Sequence, residues 1–308
     1  MKKLFVSLFC LTTVLSFAHG AESYVDSEFY NGGKSAVIMA HFGTTHDDTR
    51  AKTIDVINQK AAKAFKGNAD VFEVYTSRII NKKLHDKENI NKMNTTEMLK
   101  ALKKQGYENI IIQSTNVIDG VEMDAIKKEA QEFSKDFKEL RVGEVLLNNP
   151  HDYEDTIKII KKNIGKLKKN EGIVLVGHGS YDSGNSAYAM FDYMAKDMNE
   201  PMYVGTVEGY PTFDTVNRQL KKDKIKEVVL MPMMFVAGDH AKNDIAGDWK
   251  DMLEKAGYKV NVKLLPLGEM PEIQNKFIND AKFLEKHKEI DILAKKRGYT
   301  KGEEGHSH

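Results

Sequence analysis

The chain has 308 residues and carries 46 Lys and Arg against 45 Asp and Glu. This balance leaves no excess of basic charge for nucleic acid, so a nucleic-acid partner is not expected. The hydrophobic share of 41% is ordinary for a globular protein and argues against disorder on a large scale. The length suits one large domain or two modest ones.

The first twenty residues differ from the rest of the chain. Two lysines precede an uncharged, mostly apolar run over residues 4–18, and small residues stand at Ala18 and Gly20. This pattern predicts a signal peptide over residues 1–20 that is cleaved after Gly20, and therefore a periplasmic or secreted protein. The run is shorter than the ~20 apolar residues that a membrane span needs, so no stable span is expected after cleavage. A retained membrane anchor is the alternative.

Cys10 is the one cysteine in the sequence, and it lies inside this leader. The mature chain therefore has no thiol, which excludes disulfides and cysteine metal ligands. Any metal site must be built from histidine and carboxylate side chains.

Short apolar runs alternate with amphipathic stretches in the first part of the mature chain. The runs are rich in β-branched residues and bounded by turn residues, which is typical of strands buried on both faces. The stretches between them have helical spacing. In chain order, the pattern predicts a strand over 35–40, a helix over 47–65, a strand over 69–76, two helical pieces within 78–105, a strand over 109–115, a helix over 122–138 and a strand over 141–147.

A second cycle of the same kind begins after Pro150. Repeated alternation of strands and helices predicts an α/β fold with parallel sheets flanked by helices. The break near residue 150 predicts two domains, over 21–150 and 151–300, followed by a disordered tail over 301–308. The elements expected in the second cycle are a helix over 152–168, a strand over 172–177, a helix over 185–199, a strand over 202–207, a helix over 212–222, a strand over 226–232, a helix over 241–256, a strand over 258–265 and a long C-terminal helix.

The two cycles also resemble each other in sequence. The segment VIMAHFGTT matches IVLVGHGSY in position and character, and NIIIQSTNVIDGVEMDAI matches EVVLMPMMFVAGDHAKNDI. The second match sets Gly120 opposite Gly238 and Glu122 opposite His240. Duplication of one α/β unit accounts for this pattern, and chance similarity between α/β strands is the alternative.

Three successive strands of the second cycle each end on a side chain that can bind a metal. These side chains are His178, Glu208 and His240, and each has a glycine nearby. In open α/β sheets, ligands bind beyond the carboxyl ends of the strands, so the three are expected to share a site. Two imidazoles and one carboxylate suit a divalent first-row ion and leave a coordination position open. Taken singly, they also fit a turn histidine, an acid at a helix N-terminus and a capping residue.

Three segments resemble the signature segments of the anaerobic-type sirohydrochlorin cobaltochelatases, the CbiK-like members of the class II chelatase superfamily. They are VGHGS, GTVEGYP and LMPMMFVAGDHAKNDIAGD. The resemblance implies two similar Rossmann-like halves with a tetrapyrrole cleft between them. It also implies that Co²⁺, or alternatively Fe²⁺ or Ni²⁺, is inserted into sirohydrochlorin with release of two protons. The family often forms multimers, which favours a homo-oligomer.

The metal-holding His, Glu and His of the family fall on His178, Glu208 and His240. We expect His178 and Glu208 to be catalytic, with His178 as the principal proton acceptor, because imidazole has an ordinary pKa of about 6.5. Arg78 and Lys242 are candidate partners for the carboxylates of the substrate. Two alternatives use the same cleft: a periplasmic carrier of haem or metal, and a reverse chelatase that removes metal from a tetrapyrrole.

Two strand ends in the first half depart from the family pattern. His41 stands where the family has a small residue, and Asn116 stands where it has a histidine that can ligate haem in secreted members. The chain therefore lacks the family's route to haem, and His41 is predicted to take a polar or iron-ligating role. A plain surface histidine is the alternative. The residues predicted to bind substrate are His41, Phe42, Gly43, Asn116, Gly179 and Ser180.

Overall fold

The computed structural model describes residues 23–238 and 241–300. The predicted signal peptide (1–20), the predicted disordered tail (301–308) and His240 lie outside the described residues. Within the described ranges, no helix is both long and apolar enough to cross a membrane.

The first half holds a short strand, a sheet and the helices that cover it. Its elements are β1 (Tyr24–Asp26), β2 (Lys34–His41), α1 (Asp47–Lys52), α2 (Ile54–Ala64), β3 (Asp70–Tyr75), α3 (Arg78–Glu88), α4 (Thr95–Lys104), β4 (Tyr107–Ser114), α5 (Val121–Glu132) and β5 (Glu139–Val142).

The second half repeats this arrangement and then continues to the C-terminus. Its elements are α6 (Pro150–Ile164), β6 (Glu171–Gly177), a 3₁₀ turn (Ser183–Asn185), α7 (Ser186–Asp197), β7 (Met202–Thr206), α8 (Phe213–Lys222), β8 (Glu227–Pro232), a π-helix (Ala241–Trp249), α9 (Lys250–Lys255), β9 (Lys259–Val262), a 3₁₀ turn (Leu267–Glu269), α10 (Pro271–Phe283), β10 (His287–Glu289) and α11 (Ile292–Thr300).

Each half contains one four-stranded sheet, and the two sheets have the same strand order. The first sheet runs β3-β2-β4-β5 and the second runs β7-β6-β8-β9, with all neighbours parallel. This confirms the predicted α/β fold with parallel sheets flanked by helices. The shared order also supports the sequence similarity between the two cycles, because each strand of one sheet has a counterpart in the other.

The central strands are buried on both faces, which explains their continuous apolar runs. Every residue of β2 after Lys34 is buried, and so is every residue of β6 after Glu171. Val37 on one face of β2 belongs to a core that both halves share, whereas Ile38 on the other face packs within the first half. The two sheets therefore pack through a common apolar layer.

The last long helix, α10, crosses back to the first half. Helix α10 contacts α2 and β4, and Lys60 on α2 donates a hydrogen bond to Asn275 Oδ1 on α10 at 2.8 Å. Phe277 on α10 is fully buried in the shared core. The sequence predicted one long C-terminal helix, whereas the structure has α10 and α11 with β10 between them, and the place of α10 on the first sheet was not predicted. The division into 21–150 and 151–300 stays a prediction, although each range contains one of the sheets.

A two-stranded ribbon that the sequence did not predict joins the ends of the described chain. Strand β1 pairs antiparallel with β10. The buried Arg141 guanidinium fixes this ribbon, because its Nη1 donates to the carbonyl oxygens of Ser27, Leu284 and His287 at 2.9, 2.7 and 3.1 Å. Both strands have only three residues, too few to show a periodic pattern in sequence.

The strand predicted over 141–147 is wrong in extent. Strand β5 begins two residues earlier, at Glu139, and ends at Val142. The chain then leaves the sheet, and the Leu146 N–H donates to the Asn116 carbonyl at 3.0 Å. The apolar residues that follow β5 are therefore buried by crossing to the loop after β4, and not by strand pairing.

Several helix boundaries also differ from the sequence pattern. The helix predicted over 47–65 is divided at Thr53, whose hydroxyl donates to the carbonyl of Thr49 at 2.6 Å. Helix α5 stops at Glu132 and not at residue 138. The stretch 241–256 opens as a π-helix before α9 begins. Such local changes leave the apolar period intact, so the sequence pattern does not report them.

Candidate functional site

The glycines on either side of His178 are required by close contacts of the backbone. A Cβ at Gly177 would lie 2.2 Å from the ring of Tyr188, and a Cβ at Gly179 would lie 1.5 Å from the carbonyl oxygen of Glu208. Gly179 also has φ +88°, a left-handed conformation that favours glycine. The turn after β6 is therefore fixed from both sides, and it presents His178 at the sheet edge.

His178 and Glu208 lie at neighbouring strand ends and are joined through the backbone. The Glu208 N–H donates to the His178 carbonyl at 2.9 Å, and His178 Nδ1 lies 3.1 Å from the Gly179 carbonyl. Both side chains are exposed. Burial raises the pKa of the adjacent Tyr188 hydroxyl to about 12, while hydrogen bonds from the backbone of Gly179 and His178 act in the opposite direction. Tyr188 is therefore a neutral support beneath this turn.

A cleft of about 380 Å³ lies between the two halves at the carboxyl ends of the strands. Its walls come from the loops after β2, β3 and β4 in the first half and after β6 and β8 in the second. The structure brings together seven of the predicted site residues in this lining: His41, Phe42, Gly43, Asn116, His178, Gly179 and Ser180.

Apolar side chains dominate the cleft walls. Phe42 and Ile79 are 41% and 70% exposed, and Val121 beside them is 43% exposed. These values mark side chains available to an apolar ring system, because large exposed apolar groups grouped in a cleft indicate a binding surface. A flat macrocycle has the shape and apolar faces that such walls can cover.

Glu122 is a cleft residue that the site prediction missed. It lies in the first turn of α5 and lines the cleft, and its Oε2 accepts a hydrogen bond from Thr76 Oγ1 at 2.7 Å. Glu122 is the one acidic residue among the described residues that line the cleft, whereas Glu208 lies outside the lining. The sequence match between the two cycles could have indicated Glu122, because it sets this residue opposite His240, a predicted metal ligand.

The predicted metal trio stays a prediction. Its members His178 and Glu208 are described, and His240 lies outside the described residues. Over residues 23–238 and 241–300, no group of three or more His, Asp or Glu side chains is placed to hold a metal ion. Because His240 lies outside these ranges, the trio stays untested.

His41 is a buried residue, and the surface alternative is wrong. Its side chain is 1% exposed, and its ring stacks on Phe235 of the second half with 6.1 Å between ring centroids. Nδ1 lies 3.0 Å from Thr115 Oγ1 and Nε2 lies 3.0 Å from Asn58 Oδ1. Burial lowers the pKa of His41, so the ring is neutral at neutral pH. Metal ligation would require breaking one of the two hydrogen bonds.

The remaining predicted contacts divide into those at the cleft and those away from it. Asn116 lines the cleft, and its Nδ2 is buried without a hydrogen-bond partner within the described part of the chain. An unpaired buried donor costs free energy, about 1–3 kcal/mol, which a ligand acceptor would recover. Arg78 is paired with Glu129 at 2.6 Å outside the lining, and the lysine in the described part of the lining is Lys83. The side chain of Lys242 lies outside the described residues.

Comparison with solved structures places the fold among the chelatases. The chain is similar to SirB from Bacillus subtilis with Fe³⁺, with a TM-score of 0.56 and 16% identity over 81% of this chain and 94% of that one. It is also similar to CbiX, the terminal enzyme for biosynthesis of sirohaem in denitrifying bacteria, with a TM-score of 0.51 and 15% identity over 81% and 98%. At these identities the likeness concerns the fold.

The family follows from sequence. The cobalt chelatase (CbiK) family model matches residues 35–284. A sirohydrochlorin cobaltochelatase from Salmonella typhimurium is 34% identical over 249 residues, covering 80% of this chain and 94% of the relative. The sirohydrochlorin cobaltochelatase CbiKC of Nitratidesulfovibrio vulgaris is 27% identical over 236 residues, covering 73% and 82%. The chain belongs to the cobalt chelatase (CbiK) family, which confirms the resemblance found in its motifs.

Proposed function

We propose that the protein is a sirohydrochlorin cobaltochelatase, which inserts Co²⁺ into sirohydrochlorin and releases two protons. The observation that carries the proposal is the position of His178. It stands on a turn fixed by two obligatory glycines, at the edge of a cleft with apolar walls between the two halves. Membership of the family and the curated relatives support the same activity.

His178 acts as the principal proton acceptor. It is exposed at the cleft edge, and a neutral imidazole has an unprotonated ring nitrogen that can accept a proton from the macrocycle. The same ring can hold the incoming divalent ion when it is neutral. A labile imidazole contact suits a metal that must be passed on, because a closed set of ligands would retain it.

The second half also supplies the predicted metal-holding partners Glu208 and His240. The first half supplies Glu122, a carboxylate that faces the cleft from the opposite wall. Its hydrogen bond from Thr76 fixes one oxygen and leaves the other to attract a cation or take up a proton. On this proposal the cation and the macrocycle meet between His178 and Glu122.

The activity is tested with the chain that begins at residue 21, sirohydrochlorin and Co²⁺, followed by the change in tetrapyrrole absorbance. Catalytic turnover in the wild type and its loss in His178→Ala are expected. Parallel assays with Fe²⁺ and Ni²⁺ rank the metals, since intrinsic affinities rise from iron through cobalt to nickel and do not by themselves set the order of turnover. Stoichiometric binding without turnover would refute a chelatase.

A carrier of haem or metal on the same scaffold is the second candidate function, and a reverse chelatase that removes metal from a tetrapyrrole is a separate alternative. The observation in favour of the carrier is the composition of the cleft lining. Among the described residues, the lining contains many apolar side chains and a single lysine, Lys83. Sirohydrochlorin is rich in carboxylates and calls for basic partners. Walls with many apolar groups also suit a macrocycle that carries fewer carboxylates, such as haem. Titration with haem, read by absorbance, tests this candidate: tight binding together with inactivity toward sirohydrochlorin would favour the carrier.

The location is part of the proposal. The charged start, apolar run and small residues over 1–20 support export to the periplasm or beyond. Expression of the full chain, with cell fractionation and determination of the N-terminal residue of the mature protein, tests it. A mature chain that starts at Ala21 in the periplasmic fraction is expected.

A further inference from the structure

A chain of polar side chains runs from the cleft wall into the first half. His41 Nδ1 lies 3.0 Å from Thr115 Oγ1, and its Nε2 lies 3.0 Å from Asn58 Oδ1. Asn58 Nδ2 donates to Glu73 Oε2 at 2.7 Å, and the other carboxylate oxygen pairs with Lys92. His41 and Thr115 both line the cleft. A titratable ring is thus linked at one side to the cleft and at the other to a carboxylate.

The hydrogen bonds assign the tautomer of His41. A carboxylate can only accept, so the Asn58 amide must direct its NH₂ group toward Glu73 and its oxygen toward His41. Nε2 of His41 therefore carries the hydrogen and donates to Asn58. Nδ1 is then the unprotonated nitrogen, and it accepts from the Thr115 hydroxyl. The lone pair that can take up a proton is on the side of the ring that faces Thr115.

We propose that His41 is the acceptor of the second proton released on metal insertion, and that Thr115 passes this proton to it from the cleft. The inference rests on the proposed chelatase function and adds a residue to it. His178 stands on the opposite wall, so each half would contribute one imidazole to the removal of the two protons.

The transfer balances without any further reactant. An N–H bond of the macrocycle breaks, and its proton forms a new O–H bond at Thr115 Oγ1. In the same step the original Thr115 hydroxyl proton moves to His41 Nδ1. The hydroxyl can then turn to the Ala40 carbonyl, which lies 3.4 Å away, while the new Nδ1–H donates to Thr115 Oγ1. After the product leaves, the reverse path returns the proton to water in the cleft.

Burial favours the neutral form of His41, and neighbouring groups partly offset that preference. Burial lowers its pKa, and the hydrogen bond to Asn58 and the negative charges of Glu73 and Asp55 raise it, while Lys92 lowers it. The Tyr75 ring on β3 and the Phe235 ring from the second half complete the surroundings and carry no charge at neutral pH. The ring is therefore neutral before insertion, and its cation is stabilised through Asn58 by a carboxylate.

The hydroxyl is tested with a matched pair at one position. Thr115→Val removes the hydroxyl with little change in shape, whereas Thr115→Ser retains it. We expect kcat to fall at least tenfold in Thr115→Val with KM changed less than threefold, since one positioned acid–base group contributes about 10²–10⁴. Thr115→Ser keeps the hydroxyl but loses the methyl group, and its kcat should lie within about threefold of the wild type. If Thr115 acted only by packing of its methyl group, Thr115→Ser would instead lose activity.

The histidine is tested by the pH dependence of kcat. His41→Gln, which keeps hydrogen-bonding groups but does not titrate, should lower kcat at least tenfold and remove one ionisation from the acid side of the profile. Glu73→Gln should move that ionisation to lower pH, because a negative charge behind the ring is lost, and Lys92→Gln should move it to higher pH. Glu200→Gln is the control: it removes a carboxylate paired with Lys161 in the second half and should leave the profile in place.

The outcomes separate this inference from the proposed function. If the wild type turns over and His41→Gln or Thr115→Val keeps its kcat and pH profile, the inference is overturned and the chelatase stands. Shifts of the same sign in Glu73→Gln and Lys92→Gln would also overturn it. A wild type that binds sirohydrochlorin and Co²⁺ without turnover would overturn the proposed function, and this inference with it. NMR titration of His41 in the folded variants checks that each shift arises at this ring.

Discussion

The two halves present equivalent strand ends to the cleft but fill them with different chemistry. The Ser77 N–H donates to the Phe42 carbonyl just as the Glu208 N–H donates to that of His178, at 3.2 and 2.9 Å. Phe42 and Ser77 therefore occupy in the first half the places of His178 and Glu208 in the second. At this pair of positions the first half has an apolar and an uncharged polar side chain, whereas the second half has two ionisable ones.

The glycines show which part of the duplicated edge is structural. Gly43 and Gly179 follow these equivalent positions, and both have positive φ, +97° and +88°. Each lies against a neighbouring group, the Tyr75 ring in one half and the Glu208 carbonyl in the other. The turn is thus a property of the fold, whereas the side chain before it decides the chemistry. Function in such a protein lies in a few positions on a retained frame.

The largest expected effect on kcat comes from a comparison of the equivalent positions His178 and Phe42. His178→Ala should lower kcat by about 10²–10⁴-fold, because it removes the proposed proton acceptor and metal ligand. Phe42→Ala removes the equivalent side chain of the first half and should act mainly on KM. Initial rates with sirohydrochlorin and Co²⁺ give both values. Equal loss of kcat in the two variants would contradict the difference between the halves.

The turn itself is tested by Gly179→Ala against Gly67→Ala. Both glycines have φ near +88°, but a Cβ at Gly67 would meet nothing within 4 Å. Gly67→Ala should cost only the backbone strain, about 1–2 kcal/mol of unfolding free energy. Gly179→Ala adds a clash with a backbone carbonyl and should cost at least ~3 kcal/mol, measured by urea unfolding. Equal destabilisation would mean that the turn moves freely.

The carboxylates of the two walls are compared with Glu122→Gln and Glu208→Gln. We expect the larger loss of kcat in Glu122→Gln, about tenfold or more, because this side chain lines the cleft and Glu208 does not. Varying the Co²⁺ concentration separates metal binding from proton transfer. A larger loss of kcat in Glu208→Gln would contradict this expectation and would favour Glu208, the carboxylate predicted from the sequence.

The smallest effect is expected for the apolar wall. Phe42 is 41% exposed, so its replacement by alanine loses part of an aromatic contact with the substrate. This corresponds to about 1 kcal/mol, or a five- to tenfold rise in KM, with kcat unchanged. Phe42→Leu keeps apolar area and should stay within threefold of the wild type. A fall in kcat for Phe42→Leu would assign the ring a role beyond contact.

Much of this architecture could be predicted from the sequence, for identifiable reasons. The runs of β2 and β6 are continuous because both faces are buried, so strand positions and the parallel fold were evident. The GHG string placed His178 at a sheet edge. Glu122 was not predicted because the ligand pattern concerned strand ends, whereas this residue lies in the first turn of a helix.

Other features depend on contacts between distant segments, which no local pattern encodes. The burial of His41 follows from α2, β3 and the second-half Phe235 packing around one ring. The path of α10 to the first sheet and the three-residue strands at the chain ends are of the same kind. Amphipathic spacing predicts that a helix has a buried face but not which surface it covers.

The return of α10 to the first sheet has a consequence for biogenesis. The N-terminal sheet stays open on one side until residues 271–283 have been synthesised, so this layer cannot be sealed while the nascent polypeptide is still emerging. Deleting the last helices would expose the part of the N-terminal half that α10 covers. An incomplete chain would therefore remain loosely folded until residues 271–283 have been added.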